Sequence, residues 1–176
     1  LTFVDGDPQA ILVVEFIGTD KELSAKVNDL QVHVRKLGYK GTVTIAETPS
    51  QQADVWTVRK AGLGLMMSER SEAKPISFVE DAAVPVENLA DYITDVENII
   101  FDAGTTYSIY AHASAGCLHI RPLVNLKTLQ GRDQYRTIAD RVAETVQKYQ
   151  GTITGEHGQG LVRGEFSEYL FGADLM

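Results

Sequence analysis

The sequence has little cysteine and little tryptophan, with one of each in 176 residues. A single cysteine, Cys117, excludes an intrachain disulfide. It also cannot hold an iron–sulfur cluster, because such a cluster needs several thiolates. The scarcity of cysteine is typical of a reducing compartment, and we therefore expect a cytoplasmic protein, with peripheral membrane association of the full-length protein as an alternative.

The sequence also lacks long apolar runs and an excess of basic residues. Its longest apolar run, residues 11–17, is interrupted by Glu15 and is far shorter than the roughly 20 residues that a transmembrane helix needs. With 16 Lys and Arg against 24 Asp and Glu, the formal net charge is -8 at pH 7, and the basic residues are not clustered. Because such a surface repels phosphate backbones, nucleic acid is not an expected partner.

What is present is a globular composition, with 44% hydrophobic and 23% charged residues. The sequence contains no internal repeat, low-complexity tract or Gly/Ser linker, which predicts a single domain over residues 1–176. It begins at Leu1 without a methionine and has no signal-peptide pattern. We expect it to be an excised segment of a longer protein.

Hydrophobic periodicity predicts strands that mostly alternate with helices. Strands are expected at residues 9–17, 42–46 and 74–80, and a hairpin is expected from residues 107–113 and 118–124. Helices are expected after the Thr19–Glu22 capping box, at residues 50–67, from Pro85 to about Gly104, and at residues 130–150. Alternation alone could mean a parallel sheet, but the hairpin and the half-polar strands favour an α+β, ferredoxin-like fold with an antiparallel sheet and helices on one face.

His112 and His119 are the most informative pair in the hairpin. If Ala115 and Gly116 form a two-residue turn, residue 112 faces residue 119, and the two Cβ atoms lie roughly 5 Å apart, within reach of one metal ion. Alternation then places both histidines on a polar face, together with Arg121 and opposite an apolar face. The alternative is that these are two ordinary histidines on the solvated side of a hairpin.

A second candidate element is the glycine-rich stretch of residues 151–160. Gly155, Gly158 and Gly160 predict a loop, and between the first two stand Glu156 and His157, a carboxylate ligand beside a titratable base. The spacing is not that of a dinucleotide fingerprint or a P-loop. Taken alone, the pattern favours an ordinary turn over a site.

Three elements together resemble the FAD-linked oxidases that oxidise D-lactate, glycolate and D-2-hydroxyglutarate. The stretch His112-Ala-Ser-Ala-Gly-Cys-Leu-His119 is similar to their H-x-G-D-G-N-L-H element, and Gly155-Glu-His-Gly158 resembles G-E-H-G. The stretch Val79-Glu-Asp-Ala-Ala-Val-Pro85 looks like the E-D-x-x-V-P stretch that opens a helix of the cap domain. The resemblance implies the substrate-side cap domain of a flavoprotein dehydrogenase of 2-hydroxy acids.

The resemblance also implies roles for particular residues. In relatives that carry a metal, the corresponding two histidines and the glutamate bind zinc, which maps here to His112, His119 and Glu156 as ligands of zinc or another divalent metal. His157 is then the candidate base that takes the hydroxyl proton. FAD would be bound mainly by a domain absent from this chain, and the family pattern leaves room for an iron–sulfur domain or another electron-transfer partner.

Arg59 and Lys74 resemble the cations with which this family grips substrate carboxylates, although either could be a solvated surface residue. The sequence departs from the family pattern at Ala115, Cys117 and Arg121. Arg121 stands where an asparagine is usual, and this extra cation on the site face suggests a second carboxylate or a bulkier anionic substrate.

Two other classes of function compete with the enzyme fragment. One is a stand-alone ferredoxin-like module that binds a metal or a small anion without turnover. The other is a dimerising domain whose histidines are incidental. The enzyme fragment predicts a flavin-binding domain upstream of Leu1, and the dimerising domain predicts no bound zinc.

Overall fold

The structure is a computed structural model that describes residues 4, 6, 8–68 and 70–175. The chain divides into two compact units, Leu1–Gly62 and Leu63–Met176. Whether both belong to one domain, as the absence of a linker predicts, stays a prediction. In the part of the chain that is described, no helix is both long and apolar enough to cross a bilayer.

The first unit contains helix α1 (Asp20–Lys36) and the start of helix α2 (Pro49–Met67). Helix α1 begins with the predicted capping box, in which the Thr19 N–H donates to the Glu22 carboxylate at 2.8 Å. The chain turns at Gly38, whose φ of +83° suits a residue without a side chain. The predicted start of α1 after the capping box and the predicted span of α2 are confirmed.

The strands predicted at residues 9–17 and 42–46 are wrong, since both segments are irregular in the structure. The first of them leaves its apolar side chains exposed, including Leu12 and Ile17 at 74% and 84%. Alternating or continuous apolar residues indicate that a segment could fit a sheet, but a strand forms only where a neighbouring backbone supplies hydrogen bonds.

The second unit contains an antiparallel sheet built around one central strand. Strand β3 (Tyr107–His112) pairs along its whole length with residues 117–122 of β4 (Cys117–Val124). The other edge of β4 pairs first with β2 (Ala82–Ala83) and further along with β1 (Lys74–Pro75). The α+β class with an antiparallel sheet is confirmed.

The strand predicted at residues 74–80 is shorter than expected, because only Lys74–Pro75 pairs as β1. The Ile76 N–H still donates to the Pro122 carbonyl at 3.1 Å. Pro122 has no N–H to return that hydrogen bond, so the ladder ends there. The chain then runs irregularly to β2, and this irregular stretch carries Glu80 and Asp81.

Two long helices complete the second unit. Helix α3 (Leu89–Asp102) follows a 3-10 turn at Val86–Asn88, and α4 (Leu129–Lys148) follows the sheet. Both pack their apolar sides on the core face of β4, where Leu118 and Ile120 are fully buried. The short helices α5 (Gly160–Arg163) and α6 (Ser167–Phe171) come after the glycine-rich loop. With one face of β4 committed to this core, its other face is left for polar side chains.

Candidate functional site

The hairpin is confirmed, but its predicted register is wrong by two residues. Residue 112 faces Cys117, and His119 faces Tyr110, because the connection is a four-residue turn rather than a two-residue one. Gly116 closes this turn with a φ of +66°, and a Cβ there would lie 1.9 Å from the Val84 carbonyl oxygen. The neighbouring chain at Val84 therefore participates in the turn, which local sequence could not reveal.

A shift of two residues leaves every side chain on its predicted face, since side chains alternate with a period of two. His112 and His119 therefore still share the polar face of the hairpin, and their ring centroids lie 5.3 Å apart. They are diagonal neighbours instead of directly opposed ones. His119 is 1% exposed, whereas the side chain of His112 is 48% exposed.

One oxygen of Glu156 lies at the centre of the site. Its Oε1 atom is 2.9 Å from Nε2 of His119, 3.4 Å from Nε2 of His112 and 3.6 Å from Nε2 of His157. The structure thus brings together the residues predicted as metal ligands and the predicted base. The hairpin supplies two of the four side chains, and the glycine-rich loop supplies the other two.

The glycine-rich loop reaches the hairpin because it is hydrogen-bonded to the β2 segment. Thr152 and Ala83 form an antiparallel bridge with backbone hydrogen bonds of 2.8 and 2.9 Å. Gly155 then approaches so closely that a Cβ would lie 2.9 Å from the Cys117 sulfur. A residue with a side chain at position 155 would push the loop away from the hairpin.

Asp81 anchors the loop through its carboxylate. It accepts the backbone N–H groups of Glu156 at 3.0 Å and His157 at 2.8 Å, and the Thr154 hydroxyl at 3.0 Å. Burial acts to raise the pKa of this fully buried acid, but the three hydrogen bonds outweigh it and the pKa is lowered. Asp81 has a φ of +82°, an unusual value for a residue with a side chain that is held here by the surrounding contacts.

Glu80, next to it, faces the imidazoles. Its carboxylate lies 3.3 Å from Nδ1 of His119 and 2.9 Å from Nδ1 of His157. Burial acts to raise the pKa of Glu80, but the hydrogen bond from His157 and the charges of His157 and Arg121 lower it overall. The same hydrogen bond raises the pKa of His157.

The buried Arg163 and the partly buried Arg121 compensate these acids. Arg163 donates to the backbone carbonyls of Glu80 and Gly158, and its guanidinium lies 3.6 Å from the Glu80 carboxylate. Arg121 lies 3.7 Å from Glu80, with its side chain 11% exposed. Glu80 and Asp81 are thus matched by two guanidinium groups, and the carboxylate of Glu156, which among the described residues contacts only imidazoles, is left for a proton or a metal cation to neutralise.

Cys117 lies against the site but is held as a thiol. Its sulfur is 3.8 Å from the Asp81 carboxylate and 3.9 Å from Nε2 of His119. Burial, followed by the negative charges of Asp81 and Glu156, raises the pKa of Cys117 to about 11. Since a metal binds the thiolate rather than the thiol, Cys117 is a poor ligand at neutral pH.

The two predicted substrate cations are placed differently. Lys74 lies opposite Val124, five residues beyond His119 on β4, which corresponds to roughly 17 Å along the strand. Arg59 lies on α2 within the first unit and is half-buried. The substrate-binding roles of both residues stay predictions.

Sequence reasoning missed three residues of the site, namely Glu80, Asp81 and Arg163. Glu80 and Asp81 stand in an otherwise apolar stretch, residues 78–84, which is buried. A charged side chain in such a stretch is stable only with hydrogen-bond or ion-pair partners. That pattern could have indicated both acids as site residues. Arg163 gives no comparable signal, because its position follows only from how α5 packs against the loop.

A family model described as FAD linked oxidases, C-terminal domain, matches residues 2–176. The chain belongs to this family. The resemblance noted in its three sequence elements is thereby confirmed, and the histidine and glutamate cluster lies in those elements.

Similar curated proteins include two D-2-hydroxyglutarate dehydrogenases. The protein of Haemophilus influenzae is 35% identical, over 99% of this chain and 18% of its own length. That of Escherichia coli strain K12 is 34% identical, over 97% of this chain and 17% of its own length. A D-lactate dehydrogenase of Anaerostipes hadrus is 31% identical over 67% of this chain and 24% of its own length. The chain therefore spans less than a quarter of these relatives.

Proposed function

We propose that this chain is the substrate-side domain of an FAD-dependent dehydrogenase that oxidises a 2-hydroxy acid to a 2-oxo acid. The observation that carries the proposal is the convergence of three imidazole Nε2 atoms, from His112, His119 and His157, on one carboxylate oxygen of Glu156. Such a cluster, in a member of this family, suits proton transfer from a substrate hydroxyl beside a metal ion.

The donor set fits a divalent metal. In a tetrahedral zinc site with bonds of about 2.0–2.1 Å, ligand atoms lie roughly 3.3 Å from one another. The distances from Glu156 Oε1 to Nε2 of His119 and His112, 2.9 and 3.4 Å, are close to this value. A different group, His119, Glu156, His157 and Asp81, has its ligand atoms within 4.8 Å of one another and does not include His112, but the oxygens of Asp81 already accept three hydrogen bonds.

His112, His119 and Glu156 would therefore hold zinc or another divalent metal, with a fourth position open to substrate. The metal, when bound, polarises the hydroxyl and carboxylate groups of a 2-hydroxy acid. The unpaired negative charge of the cluster favours a cation at this place. Because the side chain of Glu156 is 47% exposed, a small substrate can reach the cluster from solvent.

His157 would act as the base. Its Nδ1 atom is engaged by Glu80, so Nε2 is the atom that can take the hydroxyl proton. The raised pKa of His157, caused mainly by the hydrogen bond to Glu80, makes its neutral form a stronger proton acceptor. The side chain is 43% exposed, which leaves room for substrate beside it.

Arg121 would contribute positive charge to substrate binding. Its guanidinium lies on the site face near Glu80, although it is mostly buried. Arg59 and Lys74 are further candidates for gripping a carboxylate, provided that the rest of the enzyme brings them near the substrate.

The flavin would be bound by a domain outside this chain. Two observations support this separate domain: the family is described as the C-terminal domain of FAD-linked oxidases, and the chain spans only 18% and 17% of the two D-2-hydroxyglutarate dehydrogenases. When bound, the flavin supplies the acceptor for the hydride of the α-carbon. An iron–sulfur domain or another electron-transfer partner would reoxidise it, and Cys117 alone cannot provide such a cluster.

Metal analysis of the purified chain tests the metal site. We expect about one zinc per chain after dialysis, and a loss of most of it in His119→Ala. The matched control is His33→Ala, which removes the histidine of helix α1 in the first unit. Equal zinc content in both variants would contradict the site.

Flavin reduction by 2-hydroxy acids, measured anaerobically in the full-length enzyme, tests the reaction. We expect His157→Ala to slow this step by about 10²- to 10⁴-fold, the usual contribution of a general base. Zinc binding with no flavin reduction by any 2-hydroxy acid would contradict the proposal and favour a metal-binding module without turnover.

A further inference from the structure

Glu80 is the one carboxylate of the site that contacts two imidazoles through their Nδ1 atoms. Its Oε2 atom lies 3.3 Å from Nδ1 of His119, and its Oε1 atom lies 2.9 Å from Nδ1 of His157. The two rings stack at 5.0 Å between centroids and 27° between planes. One side chain thus connects the candidate metal ligand with the candidate base, using a separate oxygen for each.

An ionised carboxylate can only accept hydrogen bonds, whereas an imidazole nitrogen either donates or accepts. The guanidinium groups of Arg121 and Arg163 face the Glu80 carboxylate at 3.7 and 3.6 Å, and these two fixed positive charges favour its ionised form. Both Nδ1 atoms must therefore carry a proton to be satisfied where they lie. The nitrogen that is left for a metal ion or a further proton is Nε2 in each ring, and for His119 this atom faces the Glu156 carboxylate at 2.9 Å.

Both Nε2 atoms point to the centre of the site, at 2.9 Å and 3.6 Å from Glu156 Oε1 for His119 and His157. We propose that Glu80 is a positioning residue, which holds a proton on Nδ1 of His119 and of His157 at once and so directs both Nε2 atoms to the metal and substrate. This inference rests on the proposed function for what those atoms do, but the protonation pattern stands on geometry, in which Glu80 faces both Nδ1 atoms and Asp81 faces only that of His157, at 3.7 Å. Carboxylates that orient metal-binding histidines in this way are common, whereas here one carboxylate also orients the base.

The requirement for two acceptor oxygens makes the proposal testable by a nearly isosteric change. In Glu80→Gln the side chain has one acceptor oxygen and one NH2 donor, so it can satisfy only one Nδ1–H group. The other histidine would face a donor and would have to present an unprotonated Nδ1. Glu80→Asp keeps two acceptor oxygens and places no donor against either ring.

The experiment is two-bond ¹H–¹⁵N correlation NMR of the histidine side chains in the 176-residue chain, with metal removed by a chelator at mildly alkaline pH. The chain has four histidines, and His33 serves as an internal reference in the first unit. We expect a protonated Nδ1 at both His119 and His157 in the wild type, and at only one of them in Glu80→Gln. The matched control is Glu87→Gln, at an exposed glutamate of the second unit, which should leave the wild-type pattern unchanged.

An unprotonated Nδ1 at His119 or His157 in the wild type would overturn the proposal. So would a Glu80→Gln spectrum in which both Nδ1 atoms remain protonated, or one that Glu80→Asp reproduces. If Glu80→Gln does not fold, as judged by the methyl resonances of core residues such as Ile120, the wild type and Glu80→Asp decide the question, because both should show two protonated Nδ1 atoms.

This measurement needs neither metal nor flavin, so it can fail independently of the proposed function. Two protonated Nδ1 atoms in a protein whose full-length form reduces no flavin would reject the enzyme and retain the role of Glu80. Flavin reduction by the full-length enzyme, together with an unprotonated Nδ1 at His119 or His157 in the wild type, would retain the enzyme and reject the role of Glu80.

Discussion

The carboxylate of Asp81 accepts the backbone N–H of His157 at 2.8 Å, across 76 residues of sequence. The same carboxylate holds Glu156 through its N–H and Thr154 through its hydroxyl. The loop that delivers a candidate metal ligand and a candidate base is therefore fixed by one buried acid. This contact ties the glycine-rich element to the short irregular stretch before β2.

Replacing Asp81 should loosen that loop and destabilise the second unit. Asp81→Ala leaves three donors without their acceptor, and at about 1–3 kcal/mol for each buried unsatisfied group we expect a loss of about 2–4 kcal/mol, since these donors are only partly buried. Urea unfolding measures it. Asp81→Asn should lose less, because asparagine keeps one acceptor oxygen and tolerates positive φ.

The control for Asp81 is Thr154→Val, which removes only the hydroxyl that donates to the carboxylate. We expect this change to lower the unfolding free energy by about 1 kcal/mol. Equal losses in Asp81→Ala and Thr154→Val would show that Asp81 does not anchor the backbone of the loop.

Alanine substitutions at Gly116 and Gly158 distinguish the cost of a steric clash from the cost of a positive φ. The φ values of the two glycines are similar, +66° and +74°, but a Cβ at Gly116 would meet the Val84 carbonyl oxygen at 1.9 Å, whereas a Cβ at Gly158 meets nothing within 4 Å. Gly158→Ala should cost only the left-handed strain of about 1–2 kcal/mol. Gly116→Ala should lower the urea midpoint clearly more, because it also forces the hairpin turn away from Val84. Equal midpoints would contradict the close approach.

Cys117 should react slowly with alkylating reagents. Its pKa is raised from the usual 9.0 to about 11, chiefly by burial, so the thiolate fraction near neutral pH falls roughly 100-fold. As the only cysteine of the chain, it gives a single labelling product that mass spectrometry can follow. We expect labelling to be much faster in denaturant than in buffer, and rapid labelling of the folded chain would contradict the buried environment.

The stability of the second unit should depend on pH through Asp95. Hydrogen bonds from Lys148 at 2.7 Å and Tyr149 at 2.8 Å lower the pKa of this carboxyl in the folded chain. A lowered folded pKa stabilises the fold above the pKa of the unfolded chain, about 4, and this stabilisation is lost as pH falls through the folded pKa. Asp95→Asn should therefore be less stable than the wild type at pH 7, with the gap closing below about pH 4.

Urea unfolding at pH 7 and at pH 3 measures this gap. The matched control is Asp91→Asn, at an exposed aspartate of the same helix α3. A gap between wild type and Asp95→Asn that is the same at both pH values would show that the ion pair does not contribute through ionisation of Asp95.

Much of the candidate site could be predicted from the sequence. Alternation along the hairpin placed His112 and His119 on one face. That prediction is correct although the predicted register is wrong, because the register differs by an even number of residues. The G-E-H-G element supplied Glu156 and His157 by resemblance to the family. The long helices were also predicted, because their periodicity and caps are local properties.

By itself, the sequence determined the family, the long helices, the hairpin and the residue types that carry the chemistry. Only the tertiary structure decided that residues 9–17 do not form a strand, that β1 stops at Pro75, and that Glu80 and Asp81 support the imidazoles and the loop. The physical reason is the same in each case: periodicity and capping act within a few residues, whereas strand pairing and the compensation of a buried charge depend on partners far away in sequence.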